Sequence, residues 1–255
     1  MYFIDVQGTL IDDHDKKPIQ GSLEFIQKLR EEKIPFLLIT NNTKRASKDF
    51  FEYLRSLGYA IQEEHYIDPL MVLKQALPKG GVAAYGTEEF LKNVQALGYT
   101  LDFKNPQSVL VAIKKDFTSE EYADMIESLL RGANLVGMHE TSLYAKEGRR
   151  YPGVGAILKM LSFATQREYT VVGKPSRLFY EKALEKLKKQ DPKAAFDTIT
   201  IISDDVMGDL VGAKALGMKT IFVTSGKFKS AEEIIPNLDA LKQPDMVLED
   251  ISEML

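Results

Sequence analysis

The sequence predicts an α/β protein with a Rossmann-like core built on a parallel sheet and a second α/β domain inserted into it. Three observations carry that reading. Short, continuous apolar runs alternate with amphipathic stretches at helical spacing, as expected of parallel strands covered on both faces. Four of the runs stop at small polar or charged clusters: Asp5, Thr40-Asn41, Lys174, and Asp204-Asp205 with Asp209. The texture breaks at Leu77-Pro-Lys-Gly-Gly81, and a separate strand–helix stretch follows to about residue 166. The expected division is therefore a discontinuous core, 1–77 and 167–255, with residues 78–166 as the insert.

In chain order, Tyr2-Phe3-Ile4 is a buried strand that ends at Asp5, with Gly8-Thr9 beyond it for a sharp turn. Gly21–Lys33 carries Leu23, Phe25, Ile26 and Leu29 at helical spacing, with Ser22 placed to cap it. Pro35–Thr40 is a second apolar strand, and Ser47–Leu57 a helix with Phe50, Phe51, Leu54 and Leu57 inward, closed by Gly58. Strand, helix, strand, helix implies right-handed crossovers and a parallel sheet. In the insert, strands Val82–Tyr85, Val109–Ile113 and Asn134–Met138 alternate with helices Glu88–Leu97 and Ser119–Arg131. Thr118 and Glu121 have capping-box spacing for the second helix. His139–Arg150 reads as polar and irregular, and a helix starts at Tyr151-Pro-Gly-Val-Gly155.

Past the insert, Tyr169–Val172 is a strand that runs into Gly173-Lys174-Pro175. Pro175 stops it and Ser176 caps the helix Arg177–Lys189. Thr198–Ile202 is the next strand, followed by Ser203–Asp209 and the helix Leu210–Leu216 with Gly217 as its cap. The tail offers strands Thr220–Val223 and Met246–Leu248, a helix near Ala231 and a short closing helix.

Composition narrows the function classes. Of 255 residues 44% are hydrophobic and 27% charged, ordinary values for a globular protein. Lys+Arg 33 against Asp+Glu 37 gives a net charge of -4, so no basic field draws the chain to nucleic acid or to an anionic membrane. No apolar run approaches the ~18–20 residues of a membrane span. The first strand begins at residue 2, so no leader is expected. With no cysteine, disulfides, thiolate metal sites and a Cys nucleophile are ruled out, and a cytoplasmic location suits the chain. His14, His65 and His139 show no metal-ligand spacing.

Each polar cluster has an ordinary explanation of its own. Thr40 and Asn41 suit a turn, Lys174 a loop, and Asp204, Asp205 and Asp209 the first turn of a helix. Together they say more, because carboxyl ends of parallel strands converge on one crevice. Phosphoryl transfer needs a nucleophile, a divalent cation and fixed donors around the phosphoryl oxygens. Asp5 can attack and bind metal, Asp204 can complete an oxygen site for Mg²⁺, Thr40 and Asn41 are neutral donors, and Lys174 is a fixed positive charge. Asp205 or Asp209 would orient metal-bound water or Lys174 from behind the ligands.

The stretches DVQGTL, LLITNNT, VVGKPS and ISDDVMGDLVGAKALGM resemble, in order and spacing, the four motifs of the haloacid dehalogenase superfamily. The chain looks like its subclass IIA, the NagD-like members with a large α/β cap between the second and third motifs. Within it, the chain is most similar to the branch containing phospholysine phosphohistidine inorganic pyrophosphate phosphatase. The carriers of that likeness are the segment His139–Gly155 and a first motif whose second Asp is replaced. The resemblance implies a Mg²⁺-dependent phosphatase acting on a small phosphorylated substrate. Asp5 would be nucleophile and ligand, the Gln7 main-chain carbonyl and Asp204 the other ligands, and Thr40, Asn41 and Lys174 the phosphate holders. It further implies a homodimer formed through the cap, with His139, Tyr144, Arg149 and Arg150 as candidate substrate contacts. Ser203, where the family usually has Gly, is expected to matter little.

Gln7 stands where the family's general acid, a second Asp, is expected. A main-chain metal contact survives that change, but proton donation does not, and general acid catalysis contributes ~10²–10⁴-fold. Leaving groups that depart without a proton should then be favoured: pyrophosphate, P–N or aryl phosphate bonds over alkyl esters. Two rival readings follow from the same residue. One is a pseudoenzyme that binds phosphorylated ligands with little or no turnover. The other is carbon–halogen or carbon–phosphorus cleavage, ranked lower because Asp204 and Lys174 are present as in phosphatases.

Overall fold

The computed structural model describes residues 1–146 and 149–255, with 144–146 described by their backbone alone. The chain opens with strand β1, Tyr2–Asp5, in which Phe3 and Ile4 are fully buried. Helix α1, Ser22–Glu31, buries Phe25, Ile26 and Leu29 as its spacing predicts. Its cap differs from expectation: Gly21 precedes the helix with no side-chain cap, and the Ser22 hydroxyl instead donates to Tyr59 Oη at 2.8 Å. Tyr59 Oη in turn donates to the Leu10 carbonyl. Strand β2, Phe36–Ile39, is buried along its whole length. Helix α2, Ser47–Ser56, buries Phe50, Phe51 and Leu54. Strand β3, Tyr66–Ile67, went unseen in the sequence because two residues are too few to show a period.

Helix α3, Pro69–Ala76, was also missed, although Asp68 accepts from the Met71 amide at 2.9 Å and Pro69 takes the first helical turn. Strand β4, Gly81–Tyr85, and helix α4, Glu88–Ala96, follow, then the short β5, Thr100–Leu101. Strand β6 is Ser108–Val111 and helix α5 Ser119–Leu130, with the Thr118–Glu121 capping box in place. Strand β7, Asn134–Gly137, ends the expected pattern. The stretch read as irregular is instead an antiparallel hairpin, β8, Leu143–Lys146, with β9, Arg149–Pro152. Two strands that pair only with each other need no apolar run, so hydrophobicity does not reveal them. Helix α6, Val154–Thr165, and strand β10, Tyr169–Val171, complete this part.

Helix α7, Arg177–Leu187, is capped as expected, Ser176 Oγ accepting from the Phe179 amide at 3.1 Å. Strand β11, Thr200–Ser203, leads into a π turn over Val206–Leu210, so the helical chain starts earlier than Leu210; α8, Val211–Ala215, continues it. After β12, Lys219–Val223, the expected helix near Ala231 is a series of 3₁₀ turns. Strand β13, Met246–Leu248, and a closing 3₁₀ turn, Ile251–Met254, end the chain.

Two compact units result: residues 1–40, 48–67 and 180–255, and residues 41–47 and 68–179. The first holds a six-stranded parallel sheet in the order β13-β12-β11-β1-β2-β3. The second holds a five-stranded parallel sheet, β10-β7-β6-β4-β5. This second unit is larger than the insert 78–166, and the reasons are local. Strand β10 pairs in parallel with β7. Tyr99 Oη lies 3.0 and 2.8 Å from the Leu73 and Leu77 carbonyls, tying the end of α3 to the same body. The break at 77–81 is thus a turn within the unit. No helix among the described residues is long and apolar enough to cross a membrane.

Packing in the second unit gives a direct check. Leu158 is fully buried, and a Cβ on Gly137 would lie 2.2 Å from its Cδ1, so strand and helix meet there without slack. Leu158→Ala should cost about 2–5 kcal/mol, whereas Thr118→Ala, which removes a cap, should cost about 1 kcal/mol. Urea unfolding measures both, and equal losses would contradict the packing.

Candidate active site

In the first unit β1 has β2 on one side and β11 on the other, with Asp5 level with Ile39 and Ile4 level with Ile202. The next residues outward, Thr40 and Asp204, therefore leave the sheet at the same end as Asp5. The chain returns to β2 and β3 on one side and to β11, β12 and β13 on the other, so this is where strand order reverses. Ligands of open α/β sheets sit at such a point.

Asp5 is 5% exposed, and Thr9 Oγ1 donates to its Oδ2 at a long 3.5 Å. Beyond Asp5 the chain coils back, the Leu10 and Ile11 amides donating to the Val6 carbonyl at 2.9 and 3.0 Å. Ile11 bridges Pro18, closing a small hairpin whose turn is capped by Asp12; the Asp15 and His14 amides hold that carboxyl below its ordinary range. Gln7 lies between strand and hairpin. Its Oε1 accepts from Thr40 Oγ1 at 2.7 Å, so Gln7 is fastened to the end of β2.

Asp204 is also 5% exposed. Burial, and then the charge of Asp5, pushes its carboxyl well above the ordinary range, opposed by the Lys227 amide, which donates to Oδ2 at 2.7 Å. Two glycines make room for this carboxylate. A Cβ on Gly8, which has φ +80°, would lie 2.2 Å from Asp204 Oδ2, and one on Gly226 would lie 2.0 Å from the same atom. Ser225 Oγ donates to the Gly8 carbonyl at 2.7 Å and holds the two loops together.

Behind Asp204 the turn is closed on itself. Asp205 accepts from the Gly208 amide and from Lys227 Nζ, both at 2.9 Å. Ser203 Oγ accepts from the Asp205 amide at 3.1 Å and donates to Asp209 Oδ2 at 2.6 Å. Tyr180 Oη donates to the Asp209 carbonyl at 2.9 Å. Ser203 thus does more than fill a glycine position: it fastens Asp209 and the start of the turn.

In the second unit Lys174 is 2% exposed. Its amide donates to Asn41 Oδ1 at 2.9 Å, and Asn41 Nδ2 donates to the Lys174 carbonyl at 3.4 Å. The Asn41 side chain thus clamps the Lys174 backbone. His139 is buried, its Nδ1 accepting from the Thr141 amide at 3.4 Å, and Arg149 and Arg150 are exposed. The Tyr144 side chain lies outside the described residues. His14 sits in the exposed hairpin turn and His65 is buried at the far end of the first sheet.

The structure therefore gathers Asp5, Gln7, Thr40, Asp204, Asp205 and Asp209 in one unit, and Asn41 with Lys174 in the other. Sequence reasoning passed over Thr9 and the loop Ser225-Gly226-Lys227. That loop follows the end of β12, so the rule that singled out four strand ends would have found it as a fifth.

The donor set suits Mg²⁺, which is commonly held by one or two carboxylates with water and phosphate around it. Among the described residues no three His, Cys, Asp or Glu side chains gather to make a closed cage. Two buried carboxylates that raise each other's cost of ionisation, under backbone kept bare by Gly8 and Gly226, are what a hard cation relieves.

The chain is similar to known proteins in sequence and in fold. A sequence model for haloacid dehalogenase-like hydrolases matches residues 2–100, and a second, for HAD-hydrolase-like proteins, matches residues 171–254. Haloacid dehalogenase-like hydrolase domain-containing protein 2 of Rattus norvegicus is 29% identical over 90% of this chain and 86% of its own length. Phospholysine phosphohistidine inorganic pyrophosphate phosphatase of Mus musculus is 26% identical over 99% of this chain and 93% of its own. Among solved structures, a p-nitrophenyl phosphatase from Archaeoglobus fulgidus superposes with a TM-score of 0.83 at 24% identity, covering 99% of this chain and 97% of that one. With the two models covering most of its length between them, the chain belongs to the haloacid dehalogenase-like hydrolases.

Proposed function

We propose that the protein is a Mg²⁺-dependent phosphatase that works through an aspartyl-phosphate on Asp5 and favours leaving groups that need no proton. The observation that carries this reading is the buried Asp5–Asp204 pair with an amide, Gln7, fastened beside it to Thr40. Asp5, the Gln7 main-chain carbonyl and Asp204 would hold the ion, whose charge offsets that of the phosphoryl oxygens. An Asp5 oxygen attacks phosphorus, and the leaving atom departs with the bonding electron pair. Water then attacks phosphorus, gives one proton to solvent and releases phosphate, restoring the Asp5 carboxylate. Thr40, Asn41 and Lys174 are the donors assigned to the phosphate.

Gln7 decides the substrate class. Its Oε1 is occupied by Thr40, and its Nε2 can donate a hydrogen bond but is not an acid. An alkoxide resembles hydroxide, whose conjugate acid lies at ~15.7, and needs a proton to leave. An imidazole protonated on its far ring nitrogen, which titrates at ~6.5, leaves as the neutral ring, and phosphate leaves as a stable anion, so neither needs a proton from the enzyme. The mouse relative is named for phospholysine, phosphohistidine and pyrophosphate, which supports this preference. The second unit is the cap that selects the substrate and pairs two copies in a cytoplasmic homodimer.

Phosphate release from pyrophosphate, a phosphoramidate, an aryl phosphate and a sugar phosphate, with Mg²⁺, tests the reading. The first three should turn over, the sugar phosphate hardly at all, and Asp5→Asn should fall to background. A silent panel with Mg²⁺ still bound would favour the phospho-ligand-binding pseudoenzyme. Gln7→Asp should raise sugar-phosphate hydrolysis by roughly 10²–10⁴-fold while changing pyrophosphate hydrolysis much less. An equal rise on both would refute the leaving-group argument.

The Asp204 shift gives a separate check without turnover. Its pKa is raised in the fold, so the ionised form is the disfavoured one there. In chelator, stability should fall as pH rises from about 4, the unfolded carboxylate value, through the raised folded value. Asp204→Asn should lose less over that window and should also lose the rise in Tm that Mg²⁺ gives the parent protein. Parallel pH curves for the two proteins would contradict it.

A further inference from the structure

The loop after β12 grips Asp204 by one oxygen, and the loop is itself held from both sides. Before its centre, Ser225 Oγ donates to the Gly8 carbonyl at 2.7 Å. After it, the Phe228 ring meets the fully buried Phe222 edge-on, with centroids 6.3 Å apart and planes at 70°. Between these two fixed points Lys227 acts with main chain and side chain together. Its amide donates to Asp204 Oδ2 at 2.7 Å, and its Nζ donates to Asp205 Oδ2 at 2.9 Å. Asp205 is a firm anchor for that pair. Its Oδ1 accepts from the Gly208 amide at 2.9 Å, and its own amide donates to Ser203 Oγ at 3.1 Å.

The two Asp204 oxygens are thereby made unequal. Oδ2 carries the Lys227 amide and faces both glycines. A Cβ on Gly8 would lie 2.2 Å from Oδ2 against 3.1 Å from Oδ1, and one on Gly226 would lie 2.0 Å from Oδ2. Oδ1 accepts no hydrogen bond among the described residues. A carboxylate held in this rotation offers a cation one oxygen rather than two. Divalent cations differ in what they ask of such a group. Ca²⁺ takes roughly 6–8 oxygens at about 2.3–2.6 Å and accepts both oxygens of one carboxylate, whereas Mg²⁺ takes single oxygens in an octahedron at about 2.0–2.1 Å and keeps several waters.

We propose that Lys227 is a positioning residue: tied to Asp205 through Nζ and to Asp204 Oδ2 through its amide, it confines Asp204 to one free oxygen and makes the site choose Mg²⁺ over Ca²⁺. An amide next to Gly226 can fix a carboxylate's rotation only if its loop is fixed, and the Nζ–Asp205 pair fixes it. The inference rests on the Asp5–Asp204 cation site of the phosphatase reading, and adds which cation is refused and by what means.

The test needs no substrate. The full chain is stripped of metal with chelator, and the Kd for Mg²⁺ and for Ca²⁺ is measured separately by calorimetry, with Tm in chelator as the check on folding. The parent protein should bind Mg²⁺ more tightly than Ca²⁺. Lys227→Met, which keeps the amide and most of the side chain's length but drops Nζ, should lower the ratio of the Ca²⁺ Kd to the Mg²⁺ Kd by roughly tenfold. Lys227→Arg, which can still pair with Asp205, should restore most of that ratio. Ser225→Ala, which frees the loop from Gly8, should move the ratio the same way by a smaller factor, and it serves if Lys227→Met does not fold. A purely structural role would lower Tm and weaken both ions alike, leaving the ratio where it was. An unchanged ratio in Lys227→Met and Ser225→Ala, or a parent that prefers Ca²⁺, would overturn the proposal alone, provided that phosphate release still needs Asp5 and Mg²⁺. A parent that binds neither ion would overturn the phosphatase reading with it.

Discussion

Asp5 and Asp204 are buried at the carboxyl ends of neighbouring parallel strands, and the repulsion between them is the constraint that the surrounding chain answers. A buried carboxylate without compensation costs on the order of several kcal/mol. The protein offsets part of this with backbone: the Lys227 amide points at Asp204, and glycines at 8 and 226 let two loops approach where any Cβ would collide. The remainder is left for whatever binds there. A hydrophobic pair would stabilise the same strands better, so the two carboxylates are a cost to the fold.

Around that pair the polar groups are tied to one another. Ser203 holds Asp209 and the Asp205 amide, Lys227 holds Asp205, and Thr40 holds Gln7. These bonds fix rotamers, and fixed donors are worth more to a charge-forming reaction than mobile ones because no reorganisation is needed. The Thr40–Gln7 bond has a chemical meaning too. An Asp in place of Gln7 could take the same hydroxyl and still carry a proton on its other oxygen, whereas the amide keeps its hydrogens.

The two ends of the first sheet differ in kind. At the carboxyl ends acidic groups converge and call for cations, while at the amino ends of β2 and β3 basic side chains face open space. Phe36 begins at one end the strand that finishes beside Thr40 at the other, and its ring holds His65 in place.

Much of this was legible in the residues. The apolar runs that became β1, β2, β4, β6, β7, β11 and β12, and the helix faces of α1, α2 and α5, follow from periodicity, because burial on a regular backbone leaves a regular trace. The gathering of Asp5, Thr40 and Asp204 at one end of the first sheet followed from where those runs stop. What escaped were elements with no trace to leave: two-residue β3, the self-paired hairpin β8–β9, and the π turn at Val206–Leu210, whose register depends on the Asp205 cap.

The sequence by itself determined the architecture, the identity of the acidic and donor residues and the absence of a general acid at position 7, since each depends on residue type and local pattern. Only the tertiary structure decided how they are used. Asn41 became a clamp on the Lys174 backbone, Ser203 a tether for Asp209 and Gly226 a wall for Asp204. Those roles rest on contacts between residues far apart in the chain, where distance and direction are set by packing and leave no period to read.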